Sequence, residues 1–531
     1  MLERLIEWSA KNRLMVIVVT LMVAAAGTWA TLNTPIDAIP DLSDVQVIIN
    51  TSYMGQAPQI VEEQVTYPLS TAMLSVPYAK TVRGYSMFGE SFVYVIFEDG
   101  TDMYWARSRV LEYLNYVSER LPEGVRPAIG PDATGVGWVY QYSLVDTTGN
   151  LDLAQLRSLQ DFFLKYELQS IEGVAEIASV GGFQKQYQVV VDPQKLSAYG
   201  ISISMVKMAL MESNQDVGGR VLEMGEREYM VRGRGYIKSL ADLRSIPLMN
   251  TPGGTVITVG DVATVQLGPE LRRGIAEKNG EGEVVGGIVV MRYGENAQKV
   301  IDLVKTRLEE LAPSLPSGVR IVAEYDRSTL IGRAVNTLTT KIWEELAVVA
   351  LIIIAFLLHV RSSLVAIITI PVGILMSLLA MKLLGINANI MSLGGIAIAI
   401  GVMVDAALVM VENAHKHLER MGDPSTIHHS PSTARFNAIL AAAKEVGPSL
   451  FFSLLIVTVA FLPVFALEQV EGRMFRPLAL TKTFAMAAGS ILSVTLVPAL
   501  MILFIKGRIR SEDQNPLSRF FIRIYRPVIH A

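Results

Sequence analysis

Residues 390–413 read IMSLGGIAIAIGVMVDAALVMVEN, and this stretch decides the fold class. From Ile390 to Val411 it contains a single charged side chain, Asp405. About 20 consecutive apolar residues are needed to cross a bilayer as a helix. The stretch therefore predicts a membrane-spanning helix that carries one carboxylate well inside it.

Five further stretches are long and apolar enough, or nearly so, to cross a membrane: 14–32, 342–360, 364–384, 446–467 and 478–505. The stretch at 342–360 has a short uncharged core, because Glu344 and Glu345 stand at its entry. The composition agrees with a membrane protein, since 51% of the residues are hydrophobic and only 18% are charged. We therefore expect six transmembrane helices, with residues 33–341 as one large region between the first two.

Basic residues gather in the loops on one side of these spans. They are Arg4, Lys11, Arg13, Arg361, Lys416, Arg420, Arg435, Lys444, Lys506, Arg508 and Arg510. Because cytosolic loops carry an excess of Lys and Arg, this predicts a multi-pass membrane protein with both termini in the cytosol. Residues 1–13, 412–445 and 506–531 are then cytosolic segments. The first span is longer than a signal-peptide core and lacks a clean cleavage site, so we expect it to remain as a helix.

The region between the first two spans reads as globular and repetitive. Strand, helix, strand, strand and helix follow one another at 45–53, 58–73, 81–87, 91–98 and 102–117. This order is typical of small split-βαβ sandwiches. A similar order returns with a helix at 153–169, strands at 175–180 and 186–191, a helix at 297–311 and a strand at 320–325. The fold prediction is a membrane protein with a large α+β region of repeated βαβ-type sandwiches.

Several function classes lack their motifs in this chain. The motifs GxxxxGK[ST], HExxH and GxSxG are absent, so ATP hydrolysis, a zinc protease and a serine hydrolase are not indicated. The formal net charge of -4 gives no basic footprint for nucleic acid. There is no cysteine, and the six histidines all fall in predicted cytosolic loops or the tail: His359, His415, His417, His428, His429 and His530. We expect a protein that is not an enzyme and has no bound cofactor.

Asp405 is the residue with the clearest functional implication. An aspartate at the centre of a span costs about 2.5–3.5 kcal/mol on insertion scales, and such residues mark ion pathways and proton relays. Desolvation favours the protonated form of a carboxylate, which suits a group that loads and releases protons. Glu412 lies seven residues on, within about 20° of the same helix face, and is a candidate for passing protons to the cytosol. A plain interfacial Glu412, and an Asp405 simply paired with a polar neighbour, stay open as alternatives.

The stretch 401–413, GVMVDAALVMVEN, and the motif Asp37-Ala38-Ile39-Pro40-Asp41 resemble signatures of the resistance–nodulation–division family. A single aspartate, where drug-exporting members usually have two in succession, is similar to the heavy-metal efflux branch. Segments 83–89 and 97–102 resemble the copper- and silver-exporting members of that branch. The resemblance covers the whole chain. It implies a homotrimer, a periplasmic porter and docking region at 33–341, a membrane-fusion adaptor, an outer-membrane channel, and Asp405 as carrier of the coupling proton.

The cargo is inferred from the donor atoms that the chain offers. With no cysteine and no histidine predicted outside the cytosol, a soft ion would need methionine thioethers, which favour Cu(I) and, by the same softness, Ag(I). Met403 and Met410 share one helix face, and Asp405 is turned about 200° away from Met403. Further candidate ligands are Met486, Met501 and Met391. We hypothesise that the metal passes stepwise along these thioethers, with plain packing of methionine as the alternative.

Three more methionines recur in the outer region, at Met205, Met208 and Met211. Their three-residue spacing gives one face of a predicted helix. Such a face belongs either to a core or to a contact surface, and because apolar helical stripes normally pack, we expect these residues in a core.

The two ends of the chain resemble each other. Residues 2–8, LERLIEW, and 517–529, LSRFFIRIYRPVI, are short basic amphipathic segments of the kind that lie along a membrane before a span. Transporters of this class are built from internal repeats, and the resemblance implies a second six-span repeat with a lysine partner for Asp405. Lys482, near the outer end of the sixth span, is a poorly placed substitute. We therefore expect a truncated first half that is inactive alone.

Two other functions fit part of the pattern. A protein-export auxiliary of the SecD type also has six spans and a large first outer loop, but Met403 and Met410 argue against it. A non-transporting scaffold that binds adaptors or sequesters metal would have no need of Asp405. Replacing Asp405 with asparagine separates a pump from a scaffold.

Overall fold

The computed structural model describes residues 1–251, 253–272, 274–420 and 431–506, together with positions 519, 523 and 524. Its helices are α1 (Leu2–Lys11), α2 (Arg13–Asn33), α3 (Pro58–Val61), α4 (Tyr67–Met73), α5 (Met103–Ser118), α6 (Leu153–Leu159), α7 (Lys165–Gln169), α8 (Pro193–Tyr199), α9 (Ile203–Glu212), α10 (Leu240–Arg244), α11 (Val259–Val262), α12 (Ala297–Leu311), α13 (Arg327–Leu357), α14 (Val360–Leu383), α15 (Ile390–Arg420), α16 (Pro431–Val459), α17 (Gln469–Val494) and α18 (Leu496–Phe504). Part of the predicted cytosolic loop and almost all of the C-terminal segment 506–531 lie outside the described residues, with His428, His429 and His530.

The strands form antiparallel sheets in the region between α2 and α13. They are β1 (Gln46–Ser52), β2 (Ala79–Met87), β3 (Glu90–Phe97), β4 (Pro127–Ile129), β5 (Trp138–Asp146), β6 (Val174–Gly181), β7 (Lys185–Val191), β8 (Val217–Met224), β9 (Arg227–Gly233), β10 (Pro247–Asn250), β11 (Val256–Thr258), β12 (Ala263–Pro269), β13 (Val285–Met291) and β14 (Val319–Asp326). Together with the apolar helices they confirm the predicted fold class.

Five helices in the described part of the chain are long and apolar enough to cross a membrane: Arg13–Asn33, Val360–Leu383, Ile390–Arg420, Thr433–Ala466 and Gln469–Val494. They agree with five of the six predicted spans. The stretch at 342–360 is not among them, because α13 carries Lys341, Glu344 and Glu345 directly before its apolar end. α13 also begins at Arg327, so one continuous helix crosses position 341, where the sequence predicted a boundary.

Proline residues move the ends of the last two predicted spans. α16 stops at Val459, and a 3-10 turn that contains Pro463 follows it. α17 ends at Val494 and α18 starts again at Leu496, with Pro498 in its first turn. Proline has no N–H to donate, and its ring crowds the carbonyl group four residues back. The apolar stretch from 478 to 505 is therefore two helices that meet at Thr495.

The outer region contains two modules with the same sheet topology. The first sheet has the strand order β2-β3-β1-β4, and the second has β14-β5-β13-β6. Counted within each module, both orders are second, third, first, fourth, and neighbouring strands are antiparallel. This is the split-βαβ sandwich that the sequence predicted, present twice.

Two strands that are neighbours in sequence do not pair with each other. β6 and β7 follow each other closely, but β7 pairs with β12, and β6 pairs with β13. Gly181 and Gly182, with φ of 71° and 58°, turn the chain out of the second module at this point. A Cβ atom on Gly182 would lie 2.6 Å from Cγ2 of Val285, so only glycine fits there. β7 to β12, with α8 to α11, thus form an insertion between the second and third strands of the module.

Local signals set the helices against these sheets. α5 begins after Asp102, whose carboxylate accepts the backbone N–H of Trp105. Such a cap satisfies one of the free donors at a helix start. Ala106, Val110 and Leu114 then follow at helical spacing and are all buried against the first sheet. The first module therefore has a helix-covered face and a face without helices.

A buried ion pair joins the two ends of the outer region. Arg327, at the start of α13, lies 2.9 Å from the carboxylate of Asp37, which follows α2. The same guanidinium also donates to the carbonyl group of Val136. The Arg327 side chain is 6% exposed and that of Asp37 is 20% exposed. The motif at 37–41 is thus anchored where both connecting helices enter the outer region.

Replacing Arg327 with alanine is expected to destabilise the fold by about 3–5 kcal/mol, because it leaves a buried carboxylate without its partner. The measurement is denaturant unfolding of the purified chain in detergent micelles. Arg307→Ala is the control, since Arg307 pairs with Glu167 and Glu310 at the surface, where ion pairs contribute little. Equal effects of the two substitutions would contradict an anchoring role for Arg327.

Candidate functional site

Asp405 lies on an uncovered face of α15. With Ile398, Gly401 and Val409 it forms a stripe along the helix that is exposed on the surface of this chain. Apart from its chain neighbours and the backbone of its own helix, no atom lies within 4 Å of where a Cβ atom on Gly401 would be. The carboxylate therefore points away from the helices that pack against α15, onto a surface open to another membrane segment or to lipid.

Glu412 continues this stripe toward the end of α15. Its Oε1 accepts a hydrogen bond from Nζ of Lys416 at 2.6 Å, and both side chains are about half exposed. Glu412 is thus on the same face as Asp405, in agreement with the helical spacing, but it already has a cationic partner one turn further on. Its role in proton transfer stays a prediction.

The opposite face of α15 is buried and carries the two methionines. Met403 is 3% exposed and Met410 is 0% exposed. A Cβ atom on Gly373 of α14 would lie 2.9 Å from Sδ of Met403, and one on Gly489 of α17 would lie 2.9 Å from its Cγ. Met403 therefore fills a slot that two glycines leave open between three helices. This agrees with the predicted opposition of a thioether face and an acidic face.

Met486 of α17 and Met501 of α18 lie in the same apolar cluster as Met403 and Met410. Both are fully buried. Four of the five predicted ligands are thus brought into one core, where thioethers are the soft donor atoms among aliphatic side chains. The same positions also suit methionine as packing material, so geometry alone leaves both roles open.

Met391 is separate from this cluster. It lies in the first turn of α15 and is partly buried. Its backbone N–H donates to Oδ1 of Asn389 at 3.0 Å, which caps the helix start. The fifth predicted ligand therefore lies at the start of α15, outside the cluster that contains the other four.

Lys482 of α17 is placed more deeply than its position near a span end suggested. The residue is 6% exposed, and its Nζ lies 3.1 Å from the ring centroid of Phe461. A cation over an aromatic face is a favourable arrangement for a desolvated ammonium group. It lies one helical turn from Met486, on the methionine side of α17. The sequence analysis named Lys482 but missed its burial, which its four-residue spacing from Met486 could have indicated.

Sequence reasoning also missed a chain of hydrogen bonds at the other end of the helices. His359 caps α14, and its Nδ1 lies 2.6 Å from Oγ of Ser362, which lies 2.7 Å from Nε2 of His415. His359 Nε2 donates to the carbonyl group of Lys506 at 3.1 Å. Ser362 Oγ must then donate to His359, and His415 must donate to Ser362. These bonds tie together α14, α15 and the end of α18.

The methionines of α9 are not the core that the sequence predicted. Met205 is partly buried in a small cluster, but Met208 is 55% exposed and Met211 is 66% exposed. The helix is short and touches its module along one narrow side, at Val206, so a three-residue spacing carries later methionines off that side. The prediction was wrong for Met208 and Met211.

No group of three or more His, Cys, Asp or Glu side chains that could hold a metal ion occurs among the described residues. Carboxylate and imidazole are the ligands that harder divalent ions prefer.

Comparisons with known proteins show the family and the fold of the chain. Residues 5–531 match the model of the AcrB/AcrD/AcrF family. The chain is 58% identical over 529 residues to the cation efflux system protein CusA of Escherichia coli (strain K12), covering 100% of this chain and 50% of that protein. It is 37% identical over 538 residues to the cobalt-zinc-cadmium resistance protein CzcA of Cupriavidus metallidurans, again covering 50% of that protein. A crystal structure of a heavy metal efflux pump superposes with a TM-score of 0.83 at 31% identity, over 99% of this chain and 49% of that one. The chain thus spans about half the length of the relatives it matches.

Proposed function

Since the chain belongs to the AcrB/AcrD/AcrF family, the resistance–nodulation–division transporters, we propose that it forms one repeat of a proton-driven pump for Cu(I) and Ag(I). The observation that carries the proposal is the division of α15 into two faces. One face presents Asp405 on an uncovered stripe, and the other buries Met403 and Met410 in the bundle. A proton and a soft cation then have separate routes along one helix.

Asp405 is the proton carrier in this proposal. An ionisable group in a span is costly unless it faces a partner or a water-filled cavity. The stripe of Ile398, Gly401 and Val409 around it is the surface that a second six-helix repeat would cover, with a lysine opposite the carboxylate. Function at the interface of two repeats is the general plan of such transporters.

The thioethers of Met403, Met410, Met486 and Met501 are the metal ligands in this proposal, and Met391 is the outermost one. Uncharged sulfur ligands suit Cu(I) and Ag(I), and the closed apolar cluster excludes hydrated divalent ions. In this proposal a dehydrated cation passes from one thioether of the cluster to another as the methionine side chains rotate. Methionine has three rotatable bonds and adapts to such a change.

Family membership supports a proposal for the setting of the pump. We propose an inner-membrane location with N and C termini in the cytosol, in line with the distribution of Lys and Arg. The two sandwich modules and their insertion form a periplasmic porter and docking region. A homotrimer, a periplasmic membrane-fusion adaptor and an outer-membrane channel complete the assembly.

Silver uptake into everted membrane vesicles tests this function. Vesicles with this chain alone are expected to take up no Ag(I), and vesicles that also contain the second repeat of the pump are expected to take it up when a proton gradient is imposed. A protonophore should abolish the uptake, because the proton gradient is the only driving force. Failure of a correctly assembled pair of repeats to move silver would contradict the proposal, and gradient-independent binding would favour a scaffold.

A further inference from the structure

The N-terminal helix α1 packs against α16 and α18. Its Ile6, Ser9 and Ala10 are buried, and Leu5 and Trp8 on another side are exposed. An amphipathic helix can lie in the membrane interface without a specific neighbour. α1 is instead seated by a side chain that enters the bundle.

Ile6 is that side chain, and it meets Met410. Both residues are 0% exposed. A Cβ atom on Gly447 of α16 would lie 2.5 Å from Cδ1 of Ile6 and 3.1 Å from Cε of Met410. The missing side chain of Gly447 is therefore the space in which the isoleucine and the thioether methyl group come together. Ile6 closes the methionine cluster at the end of α15 that leads to the cytosol.

An ion pair holds α1 in this position. Oε2 of Glu7 accepts a hydrogen bond from Nζ of Lys444 on α16 at 2.6 Å, and its Oε1 accepts one from Lys11 at 2.6 Å. The two lysines lower the pKa of Glu7 to about 2. The pair therefore contributes at any pH above the ordinary carboxylate range and is lost only as the pH falls through about 2. Of these two bonds of Glu7, the one to Lys444 joins α1 to another helix, and the one to Lys11 stays within α1.

We propose that α1 is a lid on the cytosolic end of the methionine pathway, with Ile6 as its plug and the Glu7–Lys444 pair as its latch. The role as a gate for metal rests on the proposed function. With the lid closed, an apolar side chain separates the Met410 thioether from cytosolic water, so hydrated ions and protons find no path into the cluster. With the lid lifted, the Met410 thioether is open to a Cu(I) or Ag(I) ion from the cytosol.

Methionine oxidation of the full chain in detergent micelles tests the lid. Purified protein is treated with hydrogen peroxide, and the oxidation of each methionine is followed by peptide mass spectrometry. In Lys444→Gln and Ile6→Ala, Met410 is expected to be oxidised about tenfold faster than in the parent chain, because the closed state has lost a charged hydrogen bond or its plug. Lys11→Gln is the matched control, since it removes the other bond of Glu7 and leaves the latch in place.

The outcome at Met403 separates lid opening from general loosening. Met403 lies deeper in the bundle, between Gly373 and Gly489, and should stay protected in all four chains. If Ile6→Ala also exposes Met403, that variant has loosened the whole bundle. Lys444→Gln then tests the lid by itself, because it leaves the buried apolar surface unchanged. Equal Met410 oxidation in the parent chain and in Lys444→Gln overturns the lid.

A covalent latch gives the converse result. The chain contains no cysteine, so Glu7→Cys combined with Lys444→Cys provides the only two thiols. Joining them with a short bismaleimide should slow Met410 oxidation about tenfold relative to the unjoined double variant. No slowing on joining overturns the lid.

Silver distinguishes failure of the lid from failure of the metal pathway. A thioether that binds Ag(I) is shielded from peroxide, so added silver should protect Met410 in Lys444→Gln. If Met410 of Lys444→Gln is oxidised faster but silver does not protect it, the lid proposal holds and the metal relay of the proposed function is contradicted. If silver protects Met410 and its oxidation rate is the same in the joined and unjoined chains, the lid is contradicted and the metal relay is supported.

Discussion

Asp405→Asn is expected to abolish proton-driven silver uptake by vesicles that contain both repeats of the pump. Asparagine has nearly the same shape and can keep a hydrogen bond, but it cannot take up or release a proton. Because Asp405 lies on the uncovered stripe of α15, the substitution disturbs no packed neighbour within this chain. Uptake should fall to the level of vesicles without pump, and the unfolding midpoint should stay unchanged. The measurement is Ag(I) uptake with an imposed proton gradient.

Two further variants define what Asp405 contributes. Asp405→Glu keeps the carboxyl group at a slightly different reach and should retain part of the uptake. Glu412→Gln should have a smaller effect than Asp405→Asn, because Glu412 is half exposed and paired with Lys416. Undiminished uptake by Asp405→Asn, with the gradient still required, would show that the proton enters by another group.

The division of α15 into two faces was predictable because helical periodicity depends on the backbone alone. Seven residues separate Met403 from Met410 and Asp405 from Glu412, and 100° per residue returns each pair to its own face. Which face is buried was not predictable from the same numbers. It depends on Gly373 and Gly489, which lie on other helices and leave the slot that Met403 fills.

The sandwich modules illustrate the same limit. Alternating apolar residues and helical stripes predicted the order of strands and helices at 45–117 within a few residues. The pairing of β7 with β12 was missed, because it joins segments far apart in sequence and the two glycines after β6 also fit an ordinary hairpin turn. The local sequence pattern predicts helices and strands, but the pairing of strands that are far apart in sequence is seen only in the packed structure.

Contacts of the N-terminal segment were missed for a related reason. Residues 2–8 were interpreted as an amphipathic surface segment, and this describes Leu5 and Trp8. The burial of Ile6 depends on Gly447, more than four hundred positions later, where no side chain fills the space. Only the fold brings these two residues together.

Met403→Leu combined with Met410→Leu is expected to abolish the silver and copper tolerance that the complete pump gives to cells. Leucine has nearly the volume of methionine, and such exchanges usually cost less than about 1.5 kcal/mol in a core. The bundle should therefore remain folded while both thioethers of the buried face of α15 are lost. Growth at increasing Ag(I) and Cu(I) concentrations measures the effect.

The matched control is Met22→Leu, the same exchange on α2 at a side chain that is 59% exposed and outside the methionine cluster. It should leave tolerance unchanged. If the double variant keeps full tolerance, then Met403 and Met410 only fill the slots left by Gly373, Gly489 and Gly447, and the relay is rejected. If tolerance is lost while Asp405 still exchanges protons in the double variant, the two faces of α15 act separately. Proton and metal are then coupled through movement of the whole helix, because they do not contact each other.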